Sequence, residues 1–186
     1  MHHALDTRDE SLKKYKEYVD NHIKNVYNAF LQYGVEIINM VIISRKSNSS
    51  YDTTYDELMK NVLEHDKSKY SVEEFEPYAA KFFPYKQNRL NKKIINKNFT
   101  EAWKHHYMNN KHHPEYWVEV KEKMPDVYVC EMICDWISVS MTIKGSVMEW
   151  WEKRGREQIS KNLDPSDVKM CEGFIKNHIK ELDFKN

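Results

Sequence analysis

The sequence predicts an all-α fold from its glycine content, its apolar spacing and its helix boundary signals. Four of the 186 residues are glycine, well below the usual fraction of about 7%. A sheet-rich fold with many hairpins needs more glycine for its turns. Neither G-x-G-x-x-G nor G-x-x-x-x-G-K occurs in the chain, which argues against a Rossmann or P-loop nucleotide-binding fold. The composition therefore favours helices.

Apolar residues recur in steps of three and four along most of the chain, as they do on one face of a helix. The predicted helices cover about residues 7–32, 34–46, 54–65, 71–83, 99–108, 125–143 and 165–182. Thr54 with Glu57, and Ser71 with Glu74, have capping-box spacing and mark two helix starts. The β-branched run in the second segment also fits a strand. Residues 85–97 are predicted to be a basic surface loop, and residues 145–155 a short irregular segment.

Length and charge indicate one neutral domain. A chain of 186 residues suits a single domain over 1–186, with a flexible N-terminus over 1–8 and a C-terminal helical extension over 144–186. Basic and acidic residues number 29 each, and zero net charge disfavours general binding to nucleic acid or to an anionic membrane. The longest apolar run, Met40–Ile43, is far shorter than the ~20 residues that span a bilayer. Three cysteines and an N-terminus without an apolar segment indicate a cytoplasmic protein.

Histidines and one acidic residue form the candidate site. Apart from His2 and His3, five of the seven histidines fall in three tight groups. These groups and the acidic residue are His65-Asp66, His105-His106, His112-His113 and Asp135. Singly, each has an ordinary interpretation as a chance pair, a solvated surface or a lysine-paired aspartate. Jointly with His22 on the first helix, they place imidazoles and carboxylates on successive helices, and these groups bind Fe, Mn, Zn, Ni and Mg ions.

One member of each adjacent histidine pair is expected to reach the site, since neighbouring helical residues point about 100° apart. His106 lies four residues after Ala102, which places it on the packed face of its helix. His112 is preferred over His113 because His113 precedes Pro114 and is restrained towards extended backbone. The predicted members are therefore His106 and His112.

The order His22 … His65-Asp66 … Asp135 resembles the HD-domain metallohydrolase superfamily, whose motif is His … His-Asp … Asp on a compact bundle of helices. Lys69 is placed like the lysine that often follows the His-Asp pair there. The added histidines resemble the two-metal branches, which include cyclic-nucleotide phosphodiesterases and a group of di-iron oxygenases. The G-Y-P tail of the phosphodiesterase branch is absent, since residues 112–117 read His-His-Pro-Glu-Tyr-Trp.

Three segments are also similar to a family of small bacterial and phage proteins. Its pattern is H-D-x-S-K-Y-S, then A-W-x-H-H-x-x-x-N-K-H-H-x-E-Y-W, then E-M-x-C-D. In this chain the segments are His65–Ser71, Ala102–Trp117 and Glu131–Asp135. This similarity supports the site residues and leaves the substrate open.

The resemblance implies a compact HD-domain-like helical bundle that acts as a metal-dependent phosphohydrolase. The expected activity is that of a phosphomonoesterase or phosphodiesterase on a nucleotide or another small phosphorylated molecule, with one or two divalent ions of Fe, Mn, Zn, Ni or Co. The expected metal ligands are His22, His65, Asp66, His106, His112 and Asp135. Asp66 is also the expected proton acceptor, and Lys69 is expected to meet phosphate charge. The alternatives are an HD-type di-iron oxygenase and a non-catalytic metal-binding or regulatory protein.

Residues around the ligands have predicted roles as well. The candidates to fix imidazole orientation are Glu64, Glu115 and Glu131. The further candidates to meet phosphate charge are Lys104, Lys111 and the loop residues Arg89, Lys92 and Lys93. A solvated lysine-rich connection is the favoured interpretation of that loop. Cys130 and Cys134 are expected to be buried structural thiols, and His178 is expected to lie on the surface.

Overall fold

Helices make up the regular secondary structure in a computed structural model that describes residues 7–86, 91–178 and 180–185. The α-helices are α1 (Arg8–Arg45), α2 (Tyr51–Glu64), α3 (Phe75–Phe82), α4 (Lys92–Asn109), α5 (Pro114–Val120), α6 (Asp126–Ile143), α7 (Val147–Trp150), α8 (Arg156–Ile159) and α9 (Pro165–Asn177). A 3₁₀ helix covers Lys67–Tyr70 and a π-helix covers Trp151–Gly155. The described residues contain no β-strand, although Ser146 and Asp183 form an isolated bridge. The prediction of an all-α fold is confirmed.

α1 is a single helix of 38 residues, where the sequence predicted two helices separated near Gly34. Gly34 allows close packing rather than a break, because a Cβ atom there would lie 2.7 Å from Cδ2 of Phe30. The β-branched run after Gly34 is helical, so the strand alternative is wrong. Ile37, Ile38 and Val41 are fully buried, and their burial outweighs the weak helix propensity of β-branched residues.

Two helix starts differ from the predicted ones because the presumed capping side chains have other partners. α2 begins at Tyr51 rather than Thr54, and the Thr54 hydroxyl donates to the carbonyl of Ser50 at 2.8 Å. α3 begins at Phe75, since the Glu74 carboxylate contacts two histidines instead of capping the helix.

Two segments predicted to be irregular are helical. α4 begins at Lys92, so part of the predicted loop over 85–97 belongs to a helix, and residues 87–90 lie outside the described residues. The segment 145–155 contains α7 and the π-helix, and α8 continues it. α9 ends at Asn177, earlier than predicted.

The chain divides into two compact units. The first unit is Met1–Asn21 with Asp66–Asn110, and the second is His22–His65 with Lys111–Asn186. The predicted C-terminal extension over 144–186 belongs to the second unit. Most of the predicted flexible N-terminus lies outside the described residues, and α1 begins at Arg8. A single domain over residues 1–186 stays a prediction.

The first unit has an aromatic interior. The Tyr15 ring lies 5.2 Å from Phe75 and 6.0 Å from Tyr78, measured between centroids. Tyr78 on α3 lies 5.0 Å from Phe99 on α4. These rings hold α3 against α4 and the start of α1, and so position the polar residues of this unit.

The second unit has a large apolar core around α6. Of the 18 residues of α6, 11 are buried, as expected for a core helix that is apolar nearly all round. The same core includes Ile38 of α1 and Leu58 of α2. Arg45 at the end of α1 pairs with Asp126 at 2.8 Å and with Asp167 at 2.6 Å. This buried network joins α1 to the N-terminal ends of α6 and α9.

Among the described helices, α1 is long and apolar enough to cross a membrane. Its most apolar window has a mean hydropathy of 1.3, and 44% of that window is buried within the protein. The core helix of a soluble protein passes the same test. α1 contributes Val26 and Phe30 to the apolar core of the second unit, which is the role of a core helix.

Candidate metal centre

Three of the predicted ligands lie together in the second unit. The donor atoms of His22, His65 and Asp135 are within 4.8 Å of one another. Nε2 of His22 lies 3.2 Å, and Nε2 of His65 3.7 Å, from Oδ1 of Asp135. Both imidazoles are buried, with exposures of 1% and 2%, so this carboxylate meets two nitrogen atoms with little water present. Asp66, the fourth predicted primary ligand, belongs to the first unit.

Ser138 holds the other ring nitrogen of His22. The Ser138 hydroxyl donates to the backbone carbonyl of Asp135 at 2.7 Å, so its oxygen accepts from Nδ1–H of His22 at 3.0 Å. That bond assigns the proton of neutral His22 to Nδ1 and directs the Nε2 lone pair at Asp135. Ser138 was not among the predicted site residues.

Glu131 accepts hydrogen bonds from the Nδ1 atoms of two imidazoles, as Ser138 does from that of His22. Its Oε1 atom lies 2.9 Å from Nδ1 of His65 and 3.1 Å from Nδ1 of His112, and the two ring centroids are 4.2 Å apart. Both Nδ1 atoms therefore act as donors. Of the three glutamates predicted to orient imidazoles, the structure places Glu131 in that position, whereas Glu64 is exposed and Glu115 is half-buried.

Sequence spacing explains where these groups lie. Glu131 and Asp135 are four residues apart on α6 and so share a helix face. Glu131 is 5% exposed and the Asp135 side chain is 14% exposed, so this face of α6 is largely shielded from water. His65 is the C-cap residue of α2, with ψ at 132°, so the chain leaves the helical path at this ligand.

The imidazoles keep both carboxyl groups of the second unit ionised. Burial raises the pKa of Glu131, but the contacts with His112 and His65 lower it by more, to about 2. Burial also raises the pKa of Asp135, and the hydrogen bonds that His22 and His65 donate to it when their rings are protonated at Nε2 hold it well below its ordinary value. This cluster therefore carries two negative charges at neutral pH, which favours a cation.

Asp66, Lys69 and His106 form a second cluster, in the first unit. Oδ2 of Asp66 pairs with Nζ of Lys69 at 2.6 Å, and Oδ1 lies 3.4 Å from Nε2 of His106. Asp66 and His106 are each 1% exposed. Lys69 thus offsets the charge of Asp66 directly, a pairing that the sequence analysis did not predict.

The backbone of Asp66 is left-handed, with φ at 56° and ψ at 20°. Few L-residues adopt this region, and Asp and Asn do so most readily after glycine. The Asp66 carbonyl accepts from the backbone N–H of Lys69 at 2.9 Å and opens the 3₁₀ helix. Lys46, Lys121 and Lys144 have similar φ angles just after helices, so the backbone of Asp66 indicates a turn at the end of α2 and does not by itself indicate function.

Glu74 is a site residue that the sequence analysis missed. Its carboxylate oxygens accept from Nδ1–H of His105 and of His106, each at 2.8 Å. The residue is 0% exposed. Burial raises its pKa, but the hydrogen bonds from the histidines lower it by more. The capping-box spacing with Ser71 hid this role.

The structure buries the preferred member of each histidine pair. His106 and His112 are 1% and 2% exposed, whereas the His105 side chain is 34% exposed and His113 is half-buried. Burial lowers the pKa of His106, which favours the neutral imidazole that metals bind. That His106 and His112 are metal ligands stays a prediction.

The remaining lysines predicted to meet phosphate have varied surroundings. Lys104, Lys92 and Lys93 are exposed on α4, and Arg89 lies outside the described residues. Nζ of Lys111 lies 5.6 Å from the ring centroid of Tyr116 and 5.9 Å from that of Tyr128. These positions do not assign any of them to phosphate.

Two other predictions have clear outcomes. Cys130 and Cys134 are buried free thiols, as predicted. His178, predicted to lie on the surface, is half-buried: its side chain is 16% exposed, and Nε2 lies 3.0 Å from the carboxylate of Glu36, which is 58% exposed. Its ring stacks on Phe174 at 4.5 Å between centroids, and this packing explains the burial.

The helices and the buried histidine–carboxylate clusters define an all-α protein with candidate metal-binding groups. The model of a family of unknown function (DUF5662) matches residues 11–177, and the chain belongs to this family. The matched span includes every predicted ligand. A search of curated proteins and a search of solved structures each found no match.

Proposed function

We propose that this protein is a metal-dependent phosphohydrolase, a phosphomonoesterase or phosphodiesterase, that acts on a nucleotide or another small phosphorylated molecule. The order of His22, His65-Asp66 and Asp135 supports the proposal through its resemblance to HD-domain hydrolases. The observation that carries it is the convergence of His22, His65 and Asp135, with donor atoms within 4.8 Å of one another. Order along the chain does not by itself bring side chains together, and here it coincides with convergence.

The donor set of the second unit fits a divalent transition metal. The Nδ1 protons of His22 and His65 go to Ser138 and Glu131, so each ring presents the Nε2 lone pair with which imidazole binds metals. Asp135 adds a carboxylate oxygen. Imidazole with carboxylate suits Fe, Mn, Zn, Ni and Co.

His22, His65 and Asp135 would hold one ion. His112, whose Nδ1 is bound to Glu131 at 3.1 Å, is a further proposed donor in the second unit. Asp66 and His106 are the proposed donors of the first unit, where Nε2 of His106 and Oδ1 of Asp66 are 3.4 Å apart.

A bound divalent cation lowers the pKa of water and polarises a phosphoryl oxygen. The protein's own groups accept the proton and offset charge. The Lys69 ammonium, 2.6 Å from Asp66, favours the ionised carboxylate, and that carboxylate is the proposed proton acceptor. Lys69 is also the proposed source of positive charge for the phosphate.

An HD-type di-iron oxygenase is the second candidate function, because the histidine-rich donor set suits iron as well as other transition metals. The third is a non-catalytic metal-binding or regulatory protein with the same ligands. We place the protein in the cytoplasm, in keeping with its three buried free cysteines.

Elemental analysis of protein purified without chelators is the first test, and we expect stoichiometric divalent transition metal. The loaded protein is then assayed on a panel of phosphomonoesters and diesters, and the Fe(II) form is assayed for O₂ consumption. Phosphate release supports the hydrolase, and O₂ uptake without phosphate release supports the oxygenase. Loaded protein that is inactive in both assays contradicts both enzymes, and failure to bind any of the five metals contradicts the site.

A further inference from the structure

Glu74 bonds two histidines that follow one another on α4. Oε1 lies 2.8 Å from Nδ1 of His105, and Oε2 lies 2.8 Å from Nδ1 of His106. Neighbouring helical residues point about 100° apart, so adjacent imidazoles seldom share a partner. A carboxylate serves both because each of its oxygens accepts separately.

These two bonds determine which ring nitrogen carries the proton. An ionised carboxylate only accepts hydrogen bonds, so Nδ1 is the donor in both rings. In the neutral imidazoles the lone pair is then on Nε2. For His106 that atom lies 3.4 Å from Oδ1 of Asp66.

Asn110 favours the opposite assignment for His106. Its Nδ2 atom lies 3.1 Å from Nδ1 of His106, and an amide N–H there would donate to an unprotonated Nδ1. The Glu74 carboxylate has the stronger influence on Nδ1, because its hydrogen bond is shorter than the Asn110 contact and involves a charged acceptor. The Asn110 amide instead donates to the His106 carbonyl at 2.8 Å and to Ser68 Oγ at 2.6 Å.

Packing fixes the place of the His106 ring without choosing its tautomer. The rings of Tyr78 and Trp103 lie 5.8 Å and 5.7 Å from it, measured between centroids. Apolar ring contacts act almost equally on the two neutral tautomers, since these differ only in which nitrogen carries the proton. The Asp66 carboxylate, 3.4 Å from Nε2, favours a proton on that nitrogen, and Ser68 Oγ lies 3.4 Å from Nδ1. The Glu74 contact with Nδ1 is much shorter, at 2.8 Å, so Glu74 has the strongest influence on the choice.

We propose that Glu74 is a positioning residue that holds His105 and His106 in the same Nδ1–H tautomer, so that Nε2 of His106 faces Asp66 as an electron-pair donor for a divalent cation. The consequence for metal binding and activity rests on the proposed function. The tautomer assignment does not.

Ring ¹⁵N NMR of metal-free protein at pH 8 tests the assignment, with His105→Gln and His106→Gln used to identify the two rings. In the wild type both rings should be protonated at Nδ1. In Glu74→Gln the amide has one acceptor oxygen and one donor nitrogen, so it cannot serve two Nδ1–H donors. We expect at least one ring to change to Nε2–H, and Asn110 favours His106.

Glu101→Gln is the matched control, because Glu101 lies on α4 with the two histidines and its side chain is 67% exposed. This substitution should leave both tautomers unchanged. A wild-type His106 protonated at Nε2 overturns the proposal, as does a Glu74→Gln protein in which both rings are unchanged. If Glu74→Gln does not fold, the wild-type spectrum still tests the tautomer assignment, and an Nε2–H proton on His105 or His106 overturns it.

Mn²⁺ titration by calorimetry tests the consequence. We expect affinity roughly 10–100-fold weaker in Glu74→Gln, as for other groups that orient metal-binding histidines, and no change in Glu101→Gln. Equal affinity in Glu74→Gln and wild type overturns the positioning role. If the wild type binds no metal, the proposed function fails while the tautomer result stands.

Discussion

Asp66 combines a left-handed backbone, an ion pair with Lys69 and a contact with His106. Asn adopts the left-handed region about as readily as Asp, so Asp66→Asn keeps the turn and removes the charge. We expect turnover of the substrate found in the screen to fall by about 10²–10⁴-fold, as for loss of a general base. Metal binding should also weaken, because a carboxylate is lost.

Kinetics and metal titration measure both effects. Asp52→Asn, on the exposed face of α2, is the control and should behave as the wild type. Asp66→Asn with wild-type turnover would remove Asp66 from the mechanism, and a large loss of helical circular dichroism would assign it a structural role.

Substitution of Lys69 shows whether its positive charge, next to Asp66, acts on kcat or on KM. Because its Nζ is engaged by Asp66 at 2.6 Å, we expect Lys69→Ala to lower kcat more than it raises KM. Lys60→Ala, an exposed substitution on α2, should change neither constant. A raised KM with unchanged kcat would instead indicate that Lys69 binds the phosphate equally in the ground state and the transition state.

The lowered pKa of Glu131 predicts how the free energy of unfolding changes at acid pH. Its pKa is about 2 in the folded protein against 4.5 for an ordinary glutamate. A lowered carboxyl pKa stabilises the fold above the unfolded pKa, and this contribution is lost as the pH falls from about 4.5 towards 2. Metal-free Glu131→Gln should therefore be less stable than wild type at pH 6 by up to about 3 kcal/mol.

Urea unfolding between pH 6 and 3 measures that difference, which should shrink as the pH falls. Glu57→Gln, exposed on α2, should show almost no difference at any pH. A difference for Glu131→Gln that stays constant over the range would mean that the charge of Glu131 does not stabilise the fold.

Two glycines of the second unit, Gly155 and Gly173, should respond to alanine in opposite directions. At Gly155, in the π-helix, an added Cβ would lie 2.7 Å from the ring of Trp150, whereas at Gly173, in α9, it would meet nothing within 4 Å. We expect Gly155→Ala to destabilise by about 1–3 kcal/mol through overpacking, and Gly173→Ala to stabilise by about 0.5–1 kcal/mol. Urea unfolding checks the signs, and destabilisation by both would contradict the packing described.

Helix type was predictable from the sequence and helix boundaries were less so. α6 was predicted almost to the residue because its apolar pattern is strong and Pro125 marks its start. The break expected at Gly34 was wrong, since glycine also serves close packing against Phe30. The start at Thr54 was wrong because a capping-box pattern does not show which partner a side chain bonds in three dimensions.

For the whole molecule, metal binding should raise thermal stability. A ligand at 100 times its Kd stabilises the folded state by about 2.7 kcal/mol, which for a chain of this size is a Tm increase of roughly 5–10 °C. Asp135→Asn should abolish most of that increase, because it removes the carboxylate that His22 and His65 face. Asp52→Asn should keep it, and EDTA should reverse it.

Differential scanning calorimetry with each of the five metals makes the comparison. An equal increase in Asp135→Asn and wild type would mean that the stabilising ion binds elsewhere.

The residues of the candidate site were only partly predictable from the sequence. His22, His65 and Asp135 were found because imidazole and carboxylate are distinctive residue types in a recognisable order. Glu74 and Ser138 were missed because the groups that orient an imidazole have no residue-type signature. A serine in a helix and a glutamate at capping distance have many ordinary explanations, and only the folded chain shows what they bond.

The left-handed backbone at Asp66 also constrains how proteins of this family can diverge. Most replacements there add strain of about 1–2 kcal/mol, while asparagine and glycine fit the turn. Among substitutions at this position, asparagine and glycine are therefore the best tolerated by the fold, and neither has a carboxylate that could accept a proton. Relatives with asparagine or glycine at this position should therefore be well folded but lack the carboxylate that the proposed hydrolysis requires, so that only their capacity to bind could remain.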